Sequence, residues 1–225
     1  MSDRFDTFSR IVHERHSVRV FLPDAVPDAL LRESLALAQQ APSNCNTQSW
    51  VVHLVSGDPL ERLRAALHGA VALGKPAVQD YPQHDGYRGV HRDRQIGSAK
   101  ALYDALGIGR EDRAERARAM LDNFRFFGAP HVAFVFLSEL YGPREAADCG
   151  MFAQTLMLAL AARGVGSCAQ GAVAHHADIV RTELGVEGSQ RLLFGIAIGR
   201  EDTAQPANAA RTDRAGLEEA IVFHA

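Results

Sequence analysis

Arg15, His16, Ser17 and Arg19 bring two guanidinium groups, an imidazole and a hydroxyl into one short stretch, RHSVRVF, where they alternate with Val18, Val20 and Phe21. In an extended segment successive side chains point to opposite sides, so Arg15, Ser17 and Arg19 share one face and His16, Val18 and Val20 the other. The first face can hold an anion. Arginine forks match pairs of phosphate oxygens, and a hydroxyl between them can bond an ester or sugar oxygen. A solvated basic edge has the same pattern, and spacing alone favours that plainer account.

Three further stretches carry chemistry-bearing side chains. Residues 42–50 (PSNCNTQSW) gather short hydrogen-bonding groups that can match the edge of a heteroaromatic ring or a polyol, and Ser and Asn are equally what a capped turn needs. Residues 164–171 (GVGSCAQG) carry glycines where backbone N–H groups can approach a flat ligand; a capped helix end followed by a plain loop has the same composition. Residues 208–214 (NAARTDR) add Arg211 and Arg214, which either complete a phosphate site begun by Arg15 or belong to a solvated tail. Metal chemistry is not expected. No C-x-x-C or H-E-x-x-H occurs, and the adjacent His175 and His176 cannot both face one way along a helix. Cys45, Cys149 and Cys168 are odd in number and far apart, which predicts free thiols rather than a disulfide framework.

Hydrophobic periodicity supplies the elements that must position these groups. Helices are predicted over 27–41, ending at Pro42-Ser43-Asn44, and over 60–73, 96–106, 111–125 and 144–163. The last is apolar nearly all round in its second half and should be buried on every side. Strands are predicted at 50–55, 131–137 and 191–199, each rich in β-branched or aromatic residues. Residues 81–93 read as irregular. Three strands among long helices predict an α+β fold, a sheet flanked by helices, in a single domain spanning 1–225 with a helical excursion at about 81–125.

Composition narrows the function class. The chain has 225 residues, is 47% hydrophobic and 23% charged, and carries a formal charge of −3. Those values exclude disorder and give no long-range attraction to nucleic acid or an anionic membrane. The first residues are too polar for a secretory segment, and no apolar run approaches the roughly 20 residues that span a bilayer, so a cytoplasmic protein is expected.

The four stretches, in this order, resemble the nitroreductase family. RHSVRVF is similar to its N-terminal signature, APSNCNTQSW to its A-P-S-x-x-N-x-Q-x-W loop, GVGSCAQG to its isoalloxazine-facing loop and NAARTDRAGLEE to its closing basic segment. LYDALGIGREDRAERARAMLDNFRFFGAP further resembles the branch holding bacterial nitrobenzoate and nitrobenzene reductases. The resemblance covers nearly the whole chain. It implies an interlocked homodimer with FMN at the subunit interface, NADH or NADPH as reductant, and nitroaromatic or quinone-like acceptors reduced by a ping-pong mechanism, the nitro group passing to nitroso and hydroxylamine. Arg15 and Arg214 would bind the FMN phosphate with Arg211 as helper. Ser17 and His16 would contact the phosphate, ribityl chain or ring edge, and Arg19 would lie near N1 and O2. Gln170 and Gly171 would offer backbone N–H groups to N5 and O4. Pro42, Ser43, Asn44 and Asn46 would reach the flavin from the partner subunit. No protein group need act as nucleophile or base. The sequence departs from part of the family at Gln170, where an acid can stand, and from many members at Ser49, where they have proline. Phe124, Phe126 and Phe127 are read either as a mobile wall over the acceptor or as core. A flavin or quinone reductase, a reductive dehalogenase of the same fold, and a flavin-binding protein without turnover remain alternatives.

Overall fold

A computed structural model describes residues 2–82 and 85–224. Gln83 and His84, in the predicted excursion, lie outside the described residues. The order is α1 (Ser2–Glu14), α2 (Asp28–Ala38), β1 (Trp50–Ser56), α3 (Gly57–Ala72), α4 (Val90–Ala105), α5 (Arg113–Leu121), β2 (His131–Ser138), α6 (Pro143–Ala161), β3 (Gly166–Gln170), α7 (Ala177–Leu184) and β4 (Gln190–Gly199). The strands form one antiparallel sheet in the order β1-β2-β4-β3.

Strand β2 shows how the sheet is held. Val132, Phe134 and Phe136 enter a cluster with Leu60, Leu63 and Leu67 of α3 and Val180 of α7. Ala133, Val135 and Leu137, pointing the other way, meet Leu31 of α2 and Phe152, Leu156 and Leu160 of α6. A strand covered on both faces needs apolar residues at every position, and His131–Leu137 is buried throughout. The expected α+β architecture, a sheet flanked by helices, is the one observed.

Several expectations need correction. The stretch read as a glycine-rich loop contains β3, whose small residues have little strand preference of their own and are held by pairing with β4, Gly166 opposite Gly199. Helices α1 and α7 were not anticipated, and α4 starts at Val90, inside the stretch read as irregular. Helix α6 is buried along one stripe only, with Met151 exposed on its far side. Among the described residues, no helix is long and apolar enough to cross a membrane and no side-chain cluster is fit to hold a metal ion.

Phe124, Phe126 and Phe127 are core residues. They lie in a tight turn, Asp122–Gly128, where Phe126 is fully buried and meets Phe134 edge-on with ring centroids 5.7 Å apart. Phe126 and Phe127 both have φ of 55°, followed by Gly128 at 78°. Left-handed backbone costs a side-chain-bearing residue about 1–2 kcal/mol, so the packing of these rings must over-determine the turn.

Candidate active site

The segment carrying Arg15 to Phe21 runs along the outer edge of β3. Ser17 pairs with Ser167 in parallel, and the Val18 N–H donates to the Ser167 carbonyl at 3.1 Å. The approach is close because Gly166 has no side chain: a Cβ there would lie 2.7 Å from Cγ2 of Val18. Further along, Asn208 fastens the segment. Its buried carboxamide accepts from the N–H groups of Arg19 and Val20 at 2.6 and 3.2 Å and donates to the carbonyls of Val20 and Asp202 at 2.8 and 2.9 Å. Through this one side chain, the strand-like segment with Arg15 and Arg19 is joined to the C-terminal segment with Arg211 and Arg214.

The result is a cavity of about 600 Å³ lined by Arg15, His16, Ser17, Arg19, Arg211 and Arg214, with Ser98 of α4 and Gln154 of α6 also on its wall. Among the described residues, no carboxylate lines it. Four arginines unopposed in a chain of net charge −3 make a local anion site. His16 is held back at the rim, one ring nitrogen 2.8 Å from the Glu14 carbonyl and the other 3.0 Å from Glu201 Oε1. Arg211 is steadied by the Asn208 carbonyl at 2.6 Å, and Arg214 by Thr212.

Arg19 also lines a second cavity, about 680 Å³, between α3 and the 122–128 turn. Its wall includes Arg64, His68, Asp122, Arg125 and Phe127. Arg64 is committed to structure: it pairs with Glu61 and donates to the carbonyls of Arg125 and Ala129 at 3.0 and 2.8 Å. Arg125 has no such ties and is exposed. Partial burial pushes the Asp122 carboxyl above its ordinary range, against the opposing pull of Arg125, His68 and Arg118. Gln170, at the end of β3, lines neither cavity; it donates from Nε2 to the Asn123 carbonyl, next to Asp122 of this wall, at 2.8 Å, while its Oε1 is buried without a partner among the described residues. Gly171 follows it, exposed at the sheet edge.

Pro42, Ser43, Asn44 and Asn46 line neither cavity. Their loop lies elsewhere, pinned by Asn44 N–H to Asp148 Oδ2 at 3.0 Å and by Gln48 N–H to Ser43 Oγ at 2.9 Å. Cys45, Asn46 and Gln48 all have positive φ there. Sequence reasoning overlooked Asn208, Arg125, Asp122, Ser98 and Gln154. Asn208 stood in a stretch singled out for its arginines, and nothing local announces its burial; Arg125 was hidden in a predicted helix.

The two buried thiols are poor nucleophiles. Burial pushes the Cys149 thiol up to about 11 and raises that of Cys168 as well, so both stay protonated.

Residues 12–200 match the model of the Nitroreductase family. The chain belongs to the nitroreductase family. As a member of that family it is an oxidoreductase, and two of its relatives align over nearly all of it. It is 43% identical to nitroreductase NfnB of Mycolicibacterium smegmatis over 95% of this chain and 91% of that one. It is 33% identical to a 4-nitrobenzoate reductase of Pseudomonas putida over 93% and 92%. The crystal structure of the FMN-dependent nitroreductase NfnB from Mycobacterium smegmatis in complex with NADPH superposes with a TM-score of 0.93 at 41% identity, covering 98% of this chain and 99% of that one. The nitroreductase fold therefore places six of the predicted site residues around one cavity and leaves the 42–46 loop apart from it.

Proposed function

We propose that this chain is an FMN-dependent NAD(P)H oxidoreductase that reduces nitroaromatic acceptors to the nitroso and then the hydroxylamine level, working as a homodimer. The observation that carries this reading is the arginine cavity, free of carboxylates among its described lining residues, that shares Arg19 with a second, ring-sized one. A flavin mononucleotide has a dianionic phosphate, a polyol and a flat ring in that order, and the two cavities offer matching chemistry in the same sequence. Arg15, Arg211 and Arg214 hold the phosphate, and Ser17 bonds the ester or ribityl oxygens. Arg19 and Arg125, facing the second cavity, oppose the negative charge that a flavin acquires at its N1–C2=O2 edge on two-electron reduction. Gln170, tied to Asn123 beside that wall, and Gly171 after it offer the end of β3 to the ring edge.

When bound, FMN would supply the two-electron redox chemistry that links NAD(P)H to the acceptor, the two sharing one site in turn as in a ping-pong scheme. The protein binds, orients and shields; no side chain is required as a nucleophile. Relatives named for NADPH and for 4-nitrobenzoate support the choice of reductant and acceptor class.

Pro42, Ser43, Asn44 and Asn46 complete the site of the other subunit in this reading. Surface area supports the dimer. The chain exposes 13,564 Å², against roughly 10,000 Å² for a compact monomer of its mass. Phe5, Phe8 and Val12 on α1 and Ile221, Val222 and Phe223 in the tail account for part of that excess apolar surface.

An anaerobic titration tests the proposal. The purified protein should show flavin bands that bleach on adding NADPH or NADH and return on adding nitrobenzene or 4-nitrobenzoate. A colourless protein that takes up no added FMN would overturn it.

A further inference from the structure

A third cavity, about 500 Å³, adjoins the two already described. Arg19 is on its wall too, and Ser98 of α4 lines both this cavity and the phosphate cleft. The remainder comes mostly from one face of α4: His91, Arg94, Gln95, Ser98, Ala99, Leu102 and Tyr103 recur at intervals of three and four, and Tyr87 closes one end. Core packing does not account for this face, because α4 has no buried residue along its length. The helix rests on the Pro206–Ala209 turn, on an Arg94–Glu219 pair at 3.1 Å, and on Arg116 of the following segment, whose guanidinium sits 4.8 Å over the Tyr103 ring.

The chemistry of the lining is specific. Arg19 and Arg94 bring guanidinium groups, the latter paired with Glu219, and His91 an imidazole; Tyr87 and Tyr103 bring aromatic rings and hydroxyls, and among the described residues no carboxylate lines the cavity itself. Counted along the helix from Ser98, Arg94 lies about 6 Å and His91 about 10 Å farther from the phosphate cleft. A dinucleotide whose nicotinamide reaches the ring cavity has to lay its other half along some neighbouring surface. This surface offers cations and aromatic rings beside Arg19, and no carboxylate is among its described lining residues.

We infer that the α4 cavity receives the adenosine end of the reductant, with Arg94 and His91 binding the ribose 2′-phosphate and so selecting NADPH over NADH. The inference rests on the flavoenzyme reading above. Tyr87 and the face of Tyr103 not covered by Arg116 take the adenine by stacking, and Arg94, paired with Glu219 at 3.1 Å, turns to a dianion that NADH lacks.

Two measurements test it on the full-length protein. By calorimetry, adenosine 2′,5′-bisphosphate should bind about tenfold more tightly than AMP, and Arg94→Ser should remove that difference. In anaerobic stopped flow, Arg94→Ser and Arg94→Ser/His91→Ser should raise the NADPH concentration for half-maximal flavin bleaching about tenfold or more and leave NADH within about twofold. Arg62→Ser, an equal loss of charge on exposed α3 surface, should change neither. Equal weakening toward NADH and NADPH would reassign Arg94 to the shared pyrophosphate and overturn the inference, as would no change with either. Protein that binds no FMN, or whose FMN neither nucleotide bleaches, would instead sink the flavoenzyme reading itself.

Discussion

Gln170 is a residue whose type matters more than its size. Only a donor can satisfy the Asn123 carbonyl from that buried position, 2.8 Å away, and glutamine supplies one at every pH. Gln170→Glu replaces the donor by a carboxyl group that donates only when protonated. Burial beside a carbonyl raises the folded-state pKa of that carboxyl above its ordinary value near 4.3. The contact is therefore intact below the unfolded pKa and is lost as pH rises through the folded one. FMN binding to Gln170→Glu, measured by flavin fluorescence, should be near wild type at about pH 5 and about tenfold weaker at about pH 8. Gln170→Ala should be weakened equally at both. A pH-independent defect in Gln170→Glu would remove the positioning role assigned to the amide. At this scale residue type marked a candidate anion site but did not decide it. For Arg15, Ser17, Arg19, Arg211 and Arg214 spacing alone favoured a solvated edge or tail, and only the resemblance to nitroreductases gave them roles; the structure brings them to one cavity. Asn208 was not assigned a role because its four hydrogen bonds join residues far apart in the chain, and burial of a polar side chain leaves no local trace.

Among the elements, the junction between β3 and the segment beside it sets the shape of the phosphate cleft. Its spacing depends on glycine. An alanine methyl at Gly166 would meet Val18 Cγ2 at 2.7 Å and the Gly199 carbonyl at 3.3 Å, and Val18 is almost wholly buried, so it has little room to yield. Gly166→Ala should displace the strand-like segment from β3, lowering stability by about 1–3 kcal/mol and weakening FMN retention together. Adding Val18→Ala should recover part of both, since it removes the atom struck first. A double variant no better than the single would show that the Gly199 carbonyl, not Val18, limits the approach; thermal unfolding with and without FMN reads both effects. The same glycines explain why β3 was mistaken for a loop. Strand preference lies in β-branched and aromatic side chains, which β1, β2 and β4 have, whereas GSCAQ has none and is a strand only through its partners. The apolar second half of α6 was read as a helix buried on every side, but its own chain covers only one stripe.

For the whole molecule, the uncovered stripe on α6 and the surplus surface raise the same question of what lies against them. An excess of about 3,500 Å² over a compact monomer is several times the roughly 800 Å² that a standard interface takes from one partner, which points to a large obligate interface. Helix α1 carries Phe5, Phe8 and Val12 along one face, exposed by 73%, 55% and 38%, and the tail offers Val222 and Phe223 at 75% and 70%. No periodicity in the sequence distinguishes such a face from a helix packed within its own chain; only the folded arrangement leaves it bare. A second copy of this chain covers it in the reading above, and that same contact is what would bring the 42–46 loop to a flavin site its own chain does not let it reach. Phe5→Asp/Phe8→Asp should therefore yield a smaller species in sedimentation velocity, and that species should lose FMN on dialysis although every arginine of its cleft is unchanged. Excess dimer added back should not restore binding to the variant chain. A variant that sediments as a monomer yet keeps FMN as the wild type does would separate the two claims: the dimer would stand, and the loop from the partner would have no part in holding the cofactor.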